Sequence, residues 1–95
     1  MAAYLIVDID VHDPEVYKGY AAQVPPLVAR HGGTYLVRGG AHETLEGTWV
    51  PSRVVVLQFP DADAARAFMN DPDYAPVKAI RHQAATSQMV LVEGA

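Results

Sequence analysis

Three arginines have the clearest potential for chemistry in this chain. Arg38 ends a short apolar segment, Arg53 precedes another, and Arg81 falls within a helical pattern. A guanidinium is a planar fork of donors that suits a carboxylate or a phosphate, so a convergent pair would make an anion-binding site. The alternative is a pair of structural ion pairs, Arg38 with Glu46 and Arg53 with Glu93. Ligand binding therefore requires a guanidinium that is left over after such pairing.

Aromatic side chains with polar tips form a second set of candidates, because they offer flat apolar surface to a ligand ring. Tyr17 and Tyr20 are spaced i, i+3 on a predicted helix, where they form either packed core or one wall of a ligand pocket. Trp49 falls in a predicted loop and either contacts a second subunit or covers the pocket. The remaining members of this set are Tyr35 and Tyr74.

His31 is the best single candidate for proton transfer. Imidazole titrates near neutral pH, and the C-terminal end of a helix favours its charged form. The alternative is that His31 only caps the helix. His12, His42 and His82 have no motif around them, and their spacing from acidic residues does not match a metal-binding pattern. We therefore expect no metal site.

Two further patterns bear on chemistry. Asp8 and Asp10 share one face of a predicted strand, where they form either an acid–base pair or simply two solvated carboxylates. The chain has no nucleophile elbow, Walker loop or dinucleotide fingerprint: four of its seven glycines come as adjacent pairs, and none has phosphate-binding spacing. We therefore expect no cofactor.

The segment His31–Trp49 is predicted to shape the site. Glycine pairs occur where the backbone takes positive φ or approaches another group closely, so Gly32-Gly33 and Gly39-Gly40 predict sharp turns on either side of a strand. Tight turns among polar side chains indicate the mouth of a pocket. The alternative is that the glycines only end a helix and open a hairpin.

Apolar periodicity predicts four strands and three helical segments. The strands are expected at 3–11, 34–38, 54–59 and 87–93, with a short extended piece at 42–45. Asp13-Pro14 starts the first helix, and Pro25-Pro26 predicts a kink or break near Val24 before a continuation to Arg30. Asp61 caps a second helix that stops at Asp71-Pro72, and a further helical segment spans 74–83.

This order predicts an α+β, ferredoxin-like β-α-β-β-α-β fold with the first and third strands in the centre of one antiparallel sheet. Those two strands contain the most continuous apolar runs, at 4–7 and 54–57. The helices cover only one face of such a sheet. A second copy of the same sheet is the simplest cover for the other face.

Composition limits the classes of function. The chain has 95 residues, 51% of them hydrophobic and 19% charged, so we expect a single folded domain over 1–95 with a small core. A net charge of −4 with scattered Lys and Arg argues against nucleic acid as a partner. The absence of cysteine excludes disulfides and thiolate chemistry. The N-terminal sequence resembles neither a signal peptide nor a membrane span, so we expect a cytoplasmic protein with no membrane partner.

The stretches HGGTYLVRGG, LEG, VVVLQFPD and VEG are similar to a bacterial family of small proteins defined as a domain of unknown function, numbered thirteen-thirty. The resemblance spans essentially the whole chain. It implies membership of the dimeric α/β-barrel superfamily, in which two ferredoxin-like sheets pack face to face, but no established catalytic residue. The positions that match the family's recurrent motif are Tyr17, Gly32, Gly33, Arg38, Gly39, Gly40, Glu46, Gly47, Arg53, Phe59, Tyr74, Arg81, Glu93 and Gly94.

Together these patterns predict a homodimer that binds a small acidic or aromatic metabolite between the sheet and the helices. If the protein is an enzyme, His31 would transfer a proton and Arg38 would stabilise an anion, as in an isomerase or a cofactor-independent oxygenase. The alternative is a non-catalytic metabolite-binding or structural dimer. The expected lining of the pocket is Tyr17, His31, Arg38, Trp49, Arg53, Tyr74 and Arg81.

Overall fold

The chain forms a four-stranded antiparallel sheet with its helices packed on one face, and a computed structural model describes all residues 1–95. The sheet order is β2-β3-β1-β4, which places β1 and β3 in the centre and confirms the predicted ferredoxin-like α+β fold. The elements are β1 (Ala3–Val11), α1 (Pro14–Arg30), β2 (Thr34–Arg38), β3 (Val54–Phe59), α2 (Ala62–Met69), α3 (Ala75–Ala84) and β4 (Ala85–Glu93).

Strand alternation puts one apolar face of the sheet against the helices. Leu5, Val7 and Ile9 of β1 are buried, and the residues between them on the strand are more exposed. In β3 the same alternation buries Val55 and Leu57. These side chains join apolar residues of α1, α2 and α3 in one core cluster, so the core lies between the sheet and the helices.

Helix α1 is continuous through its two internal prolines. The N-cap Asp13 accepts a hydrogen bond from the backbone N–H of Val16, and the helix then runs to Arg30. The predicted break near Val24 does not occur, because residues on both sides of the prolines are anchored in the core: Val24, Leu27 and Val28 are all buried. Tertiary packing therefore outweighs the local cost of proline.

Two other predictions about local structure need correction. The expected extended piece at His42–Leu45 is absent, since residues 39–53 form one long connection without strand or helix. Strand β4 starts at Ala85 rather than Ser87, directly after α3, because its first residues pair with Asp10 and Val11 of β1. No helix in the fold has the length and apolar character needed to cross a bilayer.

The sheet face without helices carries an apolar row across all four strands. Val37 of β2 pairs with Val56 of β3, which pairs with Ile6 of β1, which pairs with Val90 of β4. Val90 is 58% exposed and Val37 38% exposed. A water-exposed valine and isoleucine row in the middle of a sheet is the apolar second face that the sequence predicted.

Candidate functional site

A small internal cavity lies between the helix-covered face of the sheet and helices α1 and α3. Its volume is about 30 Å³, and its lining is mostly apolar, with Val7, Ile9, Val55 and Leu57 forming the floor on the sheet. The polar atoms at this cavity come from four tyrosines and three arginines, which are Tyr17, Tyr20, Tyr35, Tyr74, Arg38, Arg53 and Arg81. The three predicted anion-binding arginines therefore converge on one site.

An open groove of about 520 Å³ adjoins this cavity. Ile9, Tyr17 and Arg53 line both spaces, so they form the boundary between groove and cavity. The groove also touches Gly39 and Gly40. The glycine turn after β2 thus lies at the groove, whereas the other predicted pair, Gly32-Gly33, lies against Pro60 and Phe59 and lines neither space. Other polar residues along the groove are Asp10, Lys18, His42 and Ser52.

A β-bulge positions Arg38. Tyr35 pairs with Leu57 and Arg38 pairs with Val55, and a register shift falls between them at Leu36. In a regular strand, residues three apart point to opposite faces, but the extra residue of a bulge puts Tyr35 and Arg38 on the same, helix-covered face. The guanidinium carbon of Arg38 consequently lies 4.7 Å from the centre of the Tyr35 ring.

Each of the other two arginines also lies near a tyrosine ring. The guanidinium carbon of Arg81 is 5.7 Å from the ring centre of Tyr20, and that of Arg53 is 6.0 Å from the ring centre of Tyr17. Arg81 is only 4% exposed. The Nε atoms of Arg53 and Arg81 are both buried without a hydrogen-bond partner. A ring face attracts a cation but does not neutralise it, so the charges of Arg53 and Arg81 remain available to an anionic ligand.

None of the five ion pairs in the structure involves Arg38, Arg53 or Arg81. The structural alternatives, Arg38 with Glu46 and Arg53 with Glu93, do not form. Arg38 donates to a backbone carbonyl, that of Ala21, at 3.3 Å. The condition for an anion site, a guanidinium left without a carboxylate, is met three times in one cavity.

A buried pair of tyrosine hydroxyls faces the same region. The hydroxyl oxygens of Tyr20 and Tyr74 are 3.0 Å apart and share a hydrogen bond. Burial, reinforced by the neighbouring Tyr74, raises the pKa of Tyr20, and burial also raises the pKa of Tyr35. Tyr20 and Tyr35 therefore keep their protons and act as hydrogen-bond donors rather than as bases.

His31 lies apart from the cavity, in a charged cluster at the C-terminal end of α1. Its Nε2 is 2.7 Å from an Asp71 carboxylate oxygen, which also accepts from Arg30 at 3.1 Å. The hydrogen bond from His31, followed by one from the backbone N–H of Asp73, lowers the pKa of Asp71. The structure thus ties the end of α1 to the segment between α2 and α3, and it does not bring His31 to the arginines.

Trp49 also lies outside the cavity, on the sheet face without helices. Its indole N–H donates to Asp8 at 3.1 Å, and the other oxygen of Asp8 accepts from the backbone N–H groups of Ser52 and Arg53. The bond from Trp49 is the main cause of a lowered pKa at Asp8. Asp8 anchors the loop and makes no pair with Asp10.

Five of the seven predicted lining residues reach the cavity, and Tyr20 and Tyr35 join them. The i, i+3 spacing with Tyr17 was the sequence signal for Tyr20, whereas Tyr35 depends on the bulge.

His42 borders the groove, where its Nε2 lies 2.7 Å from the carbonyl oxygen of Pro51. No group of three or more His, Asp or Glu side chains is placed to hold a metal ion.

The fold and the site define a ferredoxin-like α+β protein with an arginine- and tyrosine-lined cavity under its helices. The chain matches the model of the family described as domain of unknown function DUF1330 over residues 2–95, and it belongs to that family. The predicted membership is therefore confirmed. No curated protein matches the chain in sequence.

Solved structures share this fold at low sequence identity. RPA0582 from Rhodopseudomonas palustris, a protein of unknown function, is 19% identical with a TM-score of 0.80, over 99% of this chain and 82% of that one. SnoaB from Streptomyces nogalater, a cofactor-independent oxygenase, is 20% identical with a TM-score of 0.73, and the match covers 99% of this chain and 93% of SnoaB. A dimeric ferredoxin-like protein of unknown function from Jannaschia sp. CCS1 is 15% identical with a TM-score of 0.73, over 99% and 100%.

Proposed function

We propose that this protein is a cytoplasmic homodimer that binds one small acidic, ring-bearing metabolite per subunit. The observation that supports this function is the convergence of Arg38, Arg53 and Arg81 on one tyrosine-lined cavity with no ion pair to any of them. Guanidinium groups recognise carboxylates, and Tyr17, which lines both the cavity and the groove, offers an aromatic surface to a cyclic ligand. The adjoining groove supplies access and volume.

The dimer is part of the proposal because the helix-free face is apolar. The row formed by Val37, Val56, Ile6 and Val90 crosses the sheet, and Trp49, 60% exposed, lies at the same face beside Ile6 and Val90. A second sheet packed on this face would remove the row from water. The Jannaschia protein of the same fold is a dimer.

Light scattering tests the dimer. The wild type is expected to have twice the 10.3 kDa mass of the chain, and Val90→Lys is expected to shift the protein to monomer. Ala67→Lys is the control, because Ala67 is exposed on helix α2 and lies off this face. A monomeric wild type at high concentration would remove the dimer from the proposal.

Calorimetric titration with a panel of aromatic and aliphatic acids tests the ligand. We expect a subset of aromatic acids to bind the wild type and to lose affinity for Arg38→Ala. Arg66→Ala is the control, since Arg66 is an exposed arginine of α2 paired with Asp63. If Arg38→Ala lowers only the stability of the protein and leaves binding of every acid unchanged, the anion-binding role of Arg38 is wrong.

Catalysis on the bound metabolite, as an isomerase or a cofactor-independent oxygenase, is the second candidate. It is favoured by the Tyr20–Tyr74 hydroxyl pair, since protonated donors in an apolar cavity beside guanidinium groups suit a developing oxyanion. SnoaB, an oxygenase of this kind, shares the fold. Dioxygen uptake or isomerisation of a panel acid that Tyr74→Phe abolishes without weakening binding would support it. His31 is not assigned a role in this candidate because it lies outside the lining of the cavity.

A further inference from the structure

The sizes of the two spaces limit how a ligand is placed. The inner cavity of about 30 Å³ holds on the order of two water-sized groups, because one such group needs at least roughly 10–15 Å³. An aromatic ring does not fit there. The groove, at about 520 Å³, accommodates a ring easily. A ligand that uses both spaces must put a very small group inside and its larger body outside.

The chemistry of the inner cavity specifies that small group. Arg81 is 96% buried, yet its Nε has no hydrogen-bond partner, and the buried Nε of Arg53 is in the same state. Buried donors without partners are costly, and buried cations without a counter-charge are more costly still. The nearby rings of Tyr20 and Tyr17 moderate this cost without supplying an acceptor. Both arginines line the cavity, so an anionic group with two oxygens placed there would supply the missing counter-charge.

We propose that the inner cavity is a subsite for one carboxylate group, held by Arg81 and Arg53, and that the ring-bearing body of the ligand lies in the groove. This inference rests on the proposed function and adds the orientation and the chemical class of the ligand. The two oxygens of a carboxylate match both the volume of the cavity and the planar fork of a guanidinium. A phosphonate adds a third oxygen and a tetrahedral shape, which exceed the space.

Arg53 links the two spaces, since it lines both the cavity and the groove. Its backbone N–H donates to Asp8, so the position of Arg53 is fixed from the opposite face of the sheet. Arg81 reaches the same cavity from helix α3, which lies on the helix-covered face of the sheet. A carboxylate between these side chains would therefore be held from two sides, by the residue that precedes β3 of the sheet and by helix α3.

The test compares benzoate with its neutral analogue benzamide and with phenylphosphonate. Calorimetry measures affinity, and proton–nitrogen NMR of the arginine Nε–H groups reports which arginines are contacted. We expect benzoate to bind at least tenfold more tightly than either analogue and to shift the Nε–H signals of Arg81 and Arg53. Arg81→Gln should weaken benzoate by about 10- to 100-fold, and Arg53→Gln similarly. Arg66→Gln is the matched control and should change nothing.

The outcomes separate the two proposals. Equal affinity for benzoate and benzamide, with no shift at Arg81 or Arg53, would overturn the carboxylate subsite and leave metabolite binding intact. Tighter binding of phenylphosphonate would also overturn the subsite. If no acid of the panel binds at all, the proposed function itself is wrong. If Arg81→Gln does not fold, the wild-type NMR comparison and Arg53→Gln still decide the outcome.

Discussion

The guanidinium of Arg38 donates to the backbone carbonyl of Ala21 across a distance of 3.3 Å. In an uninterrupted helix this carbonyl would accept from the N–H of residue 25, but residue 25 is a proline and has no N–H. Arg38 therefore occupies the acceptor that Pro25 leaves open. One side chain both supports helix α1 at its internal proline and brings positive charge to the cavity.

A double-mutant cycle tests this relationship. Arg38→Ala should destabilise the wild type more than it destabilises Pro25→Ala, because an alanine at position 25 supplies its own N–H to Ala21. The expected coupling is about 1 kcal/mol, the size of one hydrogen bond from a charged donor at an exposed site. Urea unfolding of all four proteins, at one protein concentration, measures it. Additive effects of the two substitutions would show that Arg38 does not compensate for Pro25.

Gly39 controls the position of Arg53. Gly39 has a φ of +71°, and a Cβ built on it would overlap the guanidinium of Arg53. Gly39→Ala should cost about 1–2 kcal/mol for the left-handed backbone conformation, and it should also displace Arg53 and weaken benzoate binding. Urea unfolding and calorimetry give the two values separately.

The neighbouring glycine provides the control for this substitution. A Cβ on Gly40 meets no atom within 4 Å, and its φ is not positive. Gly40→Ala should therefore keep both stability and benzoate affinity close to wild type. If Gly39→Ala and Gly40→Ala affect binding equally, the displacement of Arg53 is not the cause.

The fold could be predicted from the sequence because its signals are local. Alternating apolar residues defined β1 and β3, and the helix caps at Asp13 and Asp61 are formed as expected. The expected break near Val24 does not form because α1 is held by contacts between distant parts of the chain: the burial of Val24, Leu27 and Val28 in the core, and the bond from Arg38 to Ala21, which are 17 positions apart. Local helix propensity contains no information about a hydrogen-bond donor on a distant strand.

The site was harder to predict for the same reason. Strand alternation puts Tyr35 and Arg38 on opposite faces, and only the bulge at Leu36 brings them together. His31 was chosen for proton transfer because of its imidazole and its position at the end of α1, but its partner Asp71 is 40 positions away and His31 does not line the cavity. Residue types indicated the chemistry of the arginines, whereas pairing across the fold decided which groups were left without a partner.

The cluster around Asp71 should make the free energy of unfolding depend on pH in the acidic range. The folded state lowers the pKa of Asp71 below its ordinary value of 3.8, chiefly through the hydrogen bond from His31 and then through the N–H of Asp73. Arg30 also faces this carboxylate. A lowered pKa means that the unfolded chain binds the proton first, so this stabilisation is present above pH 4 and is lost as the pH falls through the folded-state pKa.

Replacement by asparagine isolates this contribution. Asp71→Asn should lower stability at pH 7 and flatten the loss of stability on acidification. Chemical unfolding between pH 7 and pH 3 measures both effects. Asp63→Asn is the matched control, because Asp63 is an exposed carboxylate of α2 that pairs with Arg66 over one helical turn. If the stability of the wild type and that of Asp71→Asn fall in parallel with pH, Asp71 is not the source of the acid-dependent loss of stability.

Asp8 is expected to fix the long loop over the helix-free face. Its carboxylate accepts from the indole of Trp49 and from the backbone of Ser52 and Arg53, so Asp8→Ala should release the loop. Trp49 is the single tryptophan of the chain, so its fluorescence anisotropy reports this loop when light scattering shows the same mass for both proteins. We expect a lower anisotropy for Asp8→Ala and weaker benzoate binding, because the backbone N–H of Arg53 loses its acceptor and only the bond from Ile9 N–H to the Arg53 carbonyl is left.

Acidification should have the same effect on the wild type as this substitution. The bond from Trp49 is the first cause that lowers the pKa of Asp8 below 3.8, so the loop should stay anchored as the pH falls to that value and be released only below it. Asp8→Ala should show no such step. Asp10→Ala is the control, because Asp10 is exposed on the same strand. A drop in Trp49 anisotropy centred above pH 4, or one that persists in Asp8→Ala, would assign the anchoring of the loop to another group.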